Sequence, residues 1–238
     1  MNHHYPLADQ LQASTHQVEN QPPPLESYNS YTADRVLQEG VNRESGSDDD
    51  APLKTFGQWA GSAEAIALGV EANRYSPQLV THDQQGHRVD LIEFHPAYHQ
   101  LMQTAIEHGL HASPWRTPRP GAHVYRAANY FLQAQVEAGH GCPITMTFAA
   151  LPALRHQPSL LESWGDKITA PHYDPRNVPY FEKQGLTLGM AMTEKQGGSD
   201  VRLNTTRAYP IDQGGPGEAF ELVGHKWFVS APMCDAFL

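Results

Sequence analysis

Apolar residues return at three- and four-residue steps through the first two thirds of the chain and lose that period in the last third. After Pro52, the positions Phe56, Trp59, Ala63, Ile66, Ala67 and Val70 share one face of a helix of about four turns, closed by Arg74 to Ser76 ahead of Pro77. Leu79-Val80-Thr81 and Val89-Asp90-Leu91-Ile92 flank the polar tip Asp83-Gln84-Gln85-Gly86, the pattern of a small β-hairpin or an extended loop. A second helix from Pro96 to about Gly109 is predicted to bury Tyr98, Leu101, Met102 and Ile106. A third starts near Gly121, presents Val124, Ala127, Ala128, Phe131, Leu132, Gln135 and Val136, and stops at Gly139-His140-Gly141. Pro143 opens a fourth, Ile144 to about Leu154, which is apolar on nearly every side and therefore predicted to be central.

The period changes after the proline-punctuated stretch 171–179. Leu186 to Met192 lacks helical spacing and suits a buried strand; Val201–Tyr209 follows with Thr205-Thr206, and Phe220-Glu221-Leu222-Val223 alternates. Asp212 to Gly217 reads as a turn or loop. Helices first and antiparallel strands after them predict an α+β protein with segregated layers. Three strands leave two edges and an uncovered face, so the sequence is expected to be a fragment of a longer protein.

Composition divides the chain further. Residues 1–50 hold nine carboxylates against two arginines, together with Pro22-Pro23-Pro24 and Ser45-Gly46-Ser47-Asp48-Asp49-Asp50. Such a stretch buries too little apolar surface to offset ordering entropy, so residues 1–51 are predicted to be a flexible acidic leader. Within it, Asn29 to Glu39 can form a short helix with Val36 and Leu37 on the body. The helical domain then spans 52–182 and the strand domain 183–238. A net charge of −10 disfavours general binding to nucleic-acid backbones. Two cysteines, Cys142 and Cys234, build no disulfide framework or zinc pattern, and neither a signal peptide nor a bilayer-length apolar run is present, so an intracellular, cytoplasmic protein is expected.

Two segments carry candidate chemistry. Met190 to Val201 is a strand turning over on Gly197 and Gly198, which can adopt positive φ. Its N–H groups, with the Thr193 and Ser199 hydroxyls, can then converge on a phosphate or heterocycle; the alternative is a plain hairpin with an Asp-ended turn. In Gly224-His225-Lys226-Trp227-Phe228-Val229-Ser230, adjacent aromatics point to opposite faces, so one of Trp227 and Phe228 faces a planar ligand and the other the core, unless both simply pack. The fourteen histidines are dispersed and read as solvated or hydrogen-bonded, with no metal site, and no GxSxG elbow holds a nucleophilic serine.

Taken together, these segments resemble the acyl-CoA dehydrogenase superfamily of flavoproteins. There a TExxxGSD run is followed a few tens of residues later by a GxKxWxT-like strand; here they read Thr193 to Asp200 and Gly224 to Ser230. Cys142-Pro143-Ile144-Thr145-Met146-Thr147-Phe148-Ala149-Ala150, Met192 to Val201 and Asn204-Thr205-Thr206-Arg207-Ala208 are similar to the AidB-like, alkylation-response branch. The resemblance covers about residues 52–238. It implies an all-α N-terminal domain, an antiparallel β-barrel middle domain incomplete here, and a C-terminal helical bundle absent from the sequence, with FAD bound in a homotetramer.

By position, Met190, Ala191, Met192 and Thr193 would line the flavin, Gly198 and Ser199 would bond its ring edge or pyrophosphate, and Phe228, Val229 and Ser230 would occupy the stacking and hydroxyl positions. The implied reaction removes hydrogen across a CH–CH bond of an acyl-CoA-like thioester. Its base is a glutamate of the C-terminal bundle, not Glu194, so the residues here are expected to be inactive alone and to contain no catalytic residue. Any DNA binding of the branch would belong to that same C-terminal domain, leaving no nucleic-acid site here. A non-enzymatic interaction module is the remaining alternative.

Overall fold

The computed structural model describes residues 19–47 and 49–238. Helices α1 (Arg35–Ser45), α2 (Ala51–Ala60) and α3 (Ala63–Arg74) precede a hairpin of β1 (Gln78–His82) and β2 (Arg88–Glu93). Then come α4 (Pro96–Glu107), the single turn α5 (Ser113–Arg116), α6 (Ala122–Val136), α7 (Gly141–Leu154) and α8 (Pro158–Ile168). Short strands β3 (Leu188–Gly189), β4 (Arg207–Pro210), β5 (Phe220–Val223) and β6 (Ala236–Phe237) finish the described chain. Among the described residues no helix is long and apolar enough to cross a membrane.

Local chemistry sets the helix limits. The Asp34 carboxylate accepts from Leu37 N at 2.8 Å to open α1, and Gly46, at φ 66°, closes it in the left-handed region. The one long helix expected from Phe56 to Val70 is two helices, because Ser62 Oγ accepts from Ala65 N at 3.1 Å and restarts the helix. The interruption has a second cause: Gly57 and Gly61 let another backbone approach. Tyr28 N donates to Gly61 O at 3.1 Å and Ser30 N to Gly57 O at 3.0 Å.

That docking corrects the predicted leader. From Tyr28 onward the chain is fixed to the body, with Tyr31 fully buried and Val41 buried beside Leu53, Phe56, Tyr125 and Leu132. The helix predicted from Asn29 starts only at Arg35, and Val36, expected to pack, is 81% exposed, whereas Leu37 does pack. The driving surface is a few large apolar groups in an otherwise polar stretch, which average composition conceals. Residues 1–18 and 48 of the predicted leader lie outside the described residues.

Helix α7 is central, as its all-round apolarity predicts. Ile144 packs with Tyr98, Met102 and Ile106 of α4, while Ala150, Leu151 and Leu154 pack with Ile168, Leu186 and Leu188. Pro152 interrupts its ladder, since it has no N–H for the Phe148 carbonyl. The Trp115 indole N–H takes that carbonyl instead, at 2.9 Å. On α6 the buried face is Tyr125, Ala128, Leu132 and Gln133; Phe131, predicted to face inward, is 47% exposed.

The strand region departs most from expectation. The β1–β2 and β4–β5 hairpins are antiparallel, but β3 pairs in parallel with β6, Leu188 opposite Ala236. A carboxylate sets that pairing: Asp235 accepts from Thr187 N at 2.9 Å and Lys183 Nζ at 2.6 Å. On the other side of β3, Thr147 Oγ1 of α7 accepts from Leu188 N at 3.0 Å. The strand predicted for 186–192 is thereby reduced to two residues. Val201–Leu203 is a 3-10 turn capped by the Asp200 carboxylate, so the strand predicted from Val201 begins only at Arg207. Three two-stranded ladders form among the described residues, one of them parallel where antiparallel strands were expected, and β4 and β5 are exposed along their whole length.

Candidate functional site

The two glycine-flanked motifs meet through their backbones. Trp227 N donates to Thr193 O at 3.0 Å, Lys195 N donates to His225 O at 3.4 Å, and Glu194 pairs with Lys226 in an antiparallel bridge. Glu194 also closes a tight turn on Gly197, their backbones exchanging bonds of 3.3 and 3.0 Å. Neither Gly197 nor Gly198 sits in the left-handed region, contrary to the sequence reading. At Gly198 space is tight: a Cβ there would stand 3.0 Å from Thr193 Cγ2, so the Thr193 side chain would have to shift.

Underneath lies a carboxylate hub. Glu194 is 1% exposed. Its Oε2 accepts from Thr205 N at 2.8 Å, Thr205 Oγ1 at 3.2 Å and the Gln196 amide. Its Oε1 accepts from Thr206 N at 2.9 Å, Thr206 Oγ1 at 2.6 Å and Lys226 Nζ at 3.3 Å. The Thr205 backbone N–H and the Thr206 hydroxyl, opposed by burial, hold its pKa far below the ordinary carboxylate range. An oxygen pair this saturated is a poor proton acceptor. Glu194 therefore ties three segments of chain together and is no general base.

The predicted site residues fall into three groups. Met190, Ala191 and Thr193 are half-buried in the segment that follows β3, with Ala191 N donating to Leu238 O at 2.8 Å. Met192 is half exposed, and its carbonyl accepts from Asn204 Nδ2 at 2.7 Å. The N–H groups of Met192 and Thr193 bond to no other described residue. Gly198 and Ser199 are exposed on the turn. In the second motif, Phe228 is 82% exposed with φ 54°, Val229 is half-buried and Ser230 is exposed.

The expectation that Trp227 or Phe228 enters the core is incorrect, since both are exposed. Strand pairing ends at Lys226, and positive φ at Phe228 and Ala231 takes the chain off any regular alternation. Bulky residues pay for such a conformation, and outliers of this kind cluster where function holds them. Trp227 lies beneath Lys195, whose Nζ is 5.7 Å from its ring centroid, and stacks with His225 at 6.0 Å.

Ser230 opens onto a cleft of about 590 Å³ between the β1–β2 hairpin and the start of α7, lined by Ile92, Phe94, Tyr98, Cys142 and Met233. Its floor holds a polar pair that the sequence reading missed. Glu137 accepts from His140 Nδ1 at 2.7 Å, His140 N at 2.8 Å and Gly139 N at 2.6 Å, and the other ring nitrogen of His140 lies 2.7 Å from the Gln133 amide. Burial alone would raise the Glu137 pKa; the His140 and Gly139 hydrogen bonds overcome it and bring it to about 2. A carboxylate just ahead of a Gly-His-Gly helix break, with free N–H groups to cap, is the signal that could have revealed it.

The helical body, with the two paired motifs beside it, is similar to the N-terminal domains of acyl-CoA dehydrogenases. Residues 20–175 match the model of the adaptive response protein AidB N-terminal domain, and the chain belongs to that family. It is 47% identical over 226 residues to the acyl-CoA dehydrogenase-like protein AidB of Escherichia coli (strain K12), covering 94% of this chain and 41% of that protein. Acyl-CoA dehydrogenase family member 11 of Caenorhabditis elegans is 30% identical over 191 residues, covering 79% of this chain and 30% of that protein. The chain thus spans less than half the length of these relatives.

Among solved structures, Bd2924 in its apo form superposes with a TM-score of 0.77 at 26% identity, over 92% of this chain and 43% of that one. Caenorhabditis elegans ACDH-11 in complex with C11-CoA gives 0.73 at 25% identity, over 92% of this chain and 37% of that one.

Proposed function

We propose that the paired motifs bind FAD, and that the adjoining cleft takes the acyl part of a CoA thioester, in an oxidoreductase acting on CH–CH bonds. The observation that carries this reading is the direct pairing of Thr193 with Trp227 beside a cleft into which Ser230 opens. The residues suit a flavin: Phe228 offers an exposed aromatic face, Met192 and Thr193 offer N–H donors, and Ser199 and Ser230 offer hydroxyls. Bound flavin would supply the hydride acceptor. The chain's own share is to floor the ring, hold its polar edge and shield an apolar tail from water.

Glu194, with every oxygen lone pair engaged, is not the proton-abstracting carboxylate; the family resemblance implies that this base lies in the C-terminal bundle. A homotetramer is part of the same proposal. The C11-CoA complex of the worm relative supports the thioester, and no described feature favours the DNA-binding or interaction-module alternatives.

Titrating FAD into the chain tests the site. Flavin emission is expected to be quenched, with Ser230→Ala weakening binding about five-fold, the worth of one hydrogen bond, and Phe228→Ala weakening it further. Unchanged emission at every ratio, or equal affinity in all three proteins, would overturn the reading.

A further inference from the structure

Two clefts lie on either side of one wall. The first is the 590 Å³ cleft beside Ser230; the second, of about 670 Å³, is lined by His99, Met102, Tyr173 and Cys234. Leu79, Ile92, Phe94, Pro232 and Met233 face both. The wall therefore comes from two segments far apart in sequence, the hairpin with its exit and the turn that follows Ser230. Phe94 is its braced member: its ring stacks on the buried Tyr98 at 4.0 Å and 17°. Met233 closes on the same apolar cluster, while Ala231, at φ 52°, sets the turn that carries it.

The polar groups around both clefts are mostly committed. Glu137 and His140 bond to each other at the floor of the first, and Asp174 pairs with Arg176 at 2.7 Å in the second. His99 Nδ1 lies 2.9 Å from the Tyr173 hydroxyl. The residues shared between the clefts are all apolar, whereas the second cleft beyond them is also lined by Asp90, Asn177, Lys183 and Asp235.

We propose that Phe94 and Met233 are the stop that sets acyl-chain length, and that opening this wall lets a longer chain continue into the second cleft. The inference rests on reading the first cleft as the acyl site. Chains short enough to end before the wall gain affinity with each methylene, and longer ones must displace packed side chains.

The test measures binding of straight-chain acyl-CoA thioesters, from butanoyl to hexadecanoyl, to the full chain and to its Phe94→Ala and Met233→Ala variants. Wild-type affinity is expected to rise with length and then level or fall. Each variant should extend the rise, binding hexadecanoyl-CoA about ten-fold or more tightly than wild type while butanoyl-CoA stays within about two-fold. Identical length profiles in wild type and folded variants would overturn the stop and leave the acyl site standing. If no thioester binds wild type, the acyl-site reading falls and the stop with it. Should Phe94→Ala lose its helical circular dichroism, Met233→Ala, a half-buried loop change, decides alone.

Discussion

The helical body and the strand region are held together by different physics. In the body, large apolar side chains are buried outright: Tyr31, Leu53, Phe56, Leu101, Leu132, Ile144 and Ile168 are all at or near zero exposure. In the strand region, Leu222 is 73% exposed, Phe228 82% and Tyr209 52%, and the most deeply buried group is a carboxylate. Apolar burial is non-directional and tolerates sliding, whereas six donors on one Glu fix backbone positions to within a hydrogen bond. A ligand surface that must keep backbone N–H groups and hydroxyls in place is better served by the second.

Breaking the body should give the largest effect. Phe56→Ala or Leu132→Ala is expected to cost about 3–5 kcal/mol and to lower the global denaturation midpoint. Breaking the buried Glu137–His140 pair by Glu137→Leu should cost a similar amount, about 3–5 kcal/mol, because the histidine ring and two N–H groups lose their acceptor. Urea denaturation followed by circular dichroism measures both.

Glu194→Gln acts locally instead. It replaces an acceptor-only group by one that also donates, facing four donors from Thr205 and Thr206. Hydrogen exchange at Thr205, Thr206 and Trp227 should accelerate strongly while helical ellipticity stays unchanged. A global loss of helix would erase the distinction between the two regions.

Acid acts on the body through two buried groups. Burial of His111 in the body lowers its pKa from 6.5 to about 4, although its bond to the Ala170 carbonyl opposes the shift. The unfolded chain therefore binds the extra proton first, so stability falls as pH drops from about 6.5 to about 4. Glu137, held at about 2 against an ordinary 4.5, continues the loss below that: its contribution is present above pH 4.5 and disappears as pH approaches 2. Stability measured against pH should flatten between pH 6.5 and 4 in His111→Gln. At the small end, Leu222→Ala on the exposed β5 should change stability by no more than about 0.5 kcal/mol.

The body was legible in the sequence because its signals are local. Pro96, Pro143, the apolar spacing of α4 and the polar tip of the β1–β2 hairpin all act within a few residues. The break at Gly61 was only partly legible: Ser62 is a local helix cap, but the docking of Tyr28 comes from far back in the chain. The parallel β3–β6 pairing was not legible, since it depends on Asp235 reaching Thr187 across nearly fifty intervening residues. In the candidate site, the motifs announced themselves by residue type, but the role of Glu194 requires Thr205 and Thr206 to fold back over it. The exposure of Phe228 follows from a positive φ that no sequence rule assigns to phenylalanine.

The most direct test of one shared ligand surface is hydrogen exchange on the chain with and without FAD. Protection is expected to appear together at residues 192–193 and 227–230 and to vanish from both in Glu194→Gln. Protection confined to one motif, or retained in both after the hub is broken, would contradict the account.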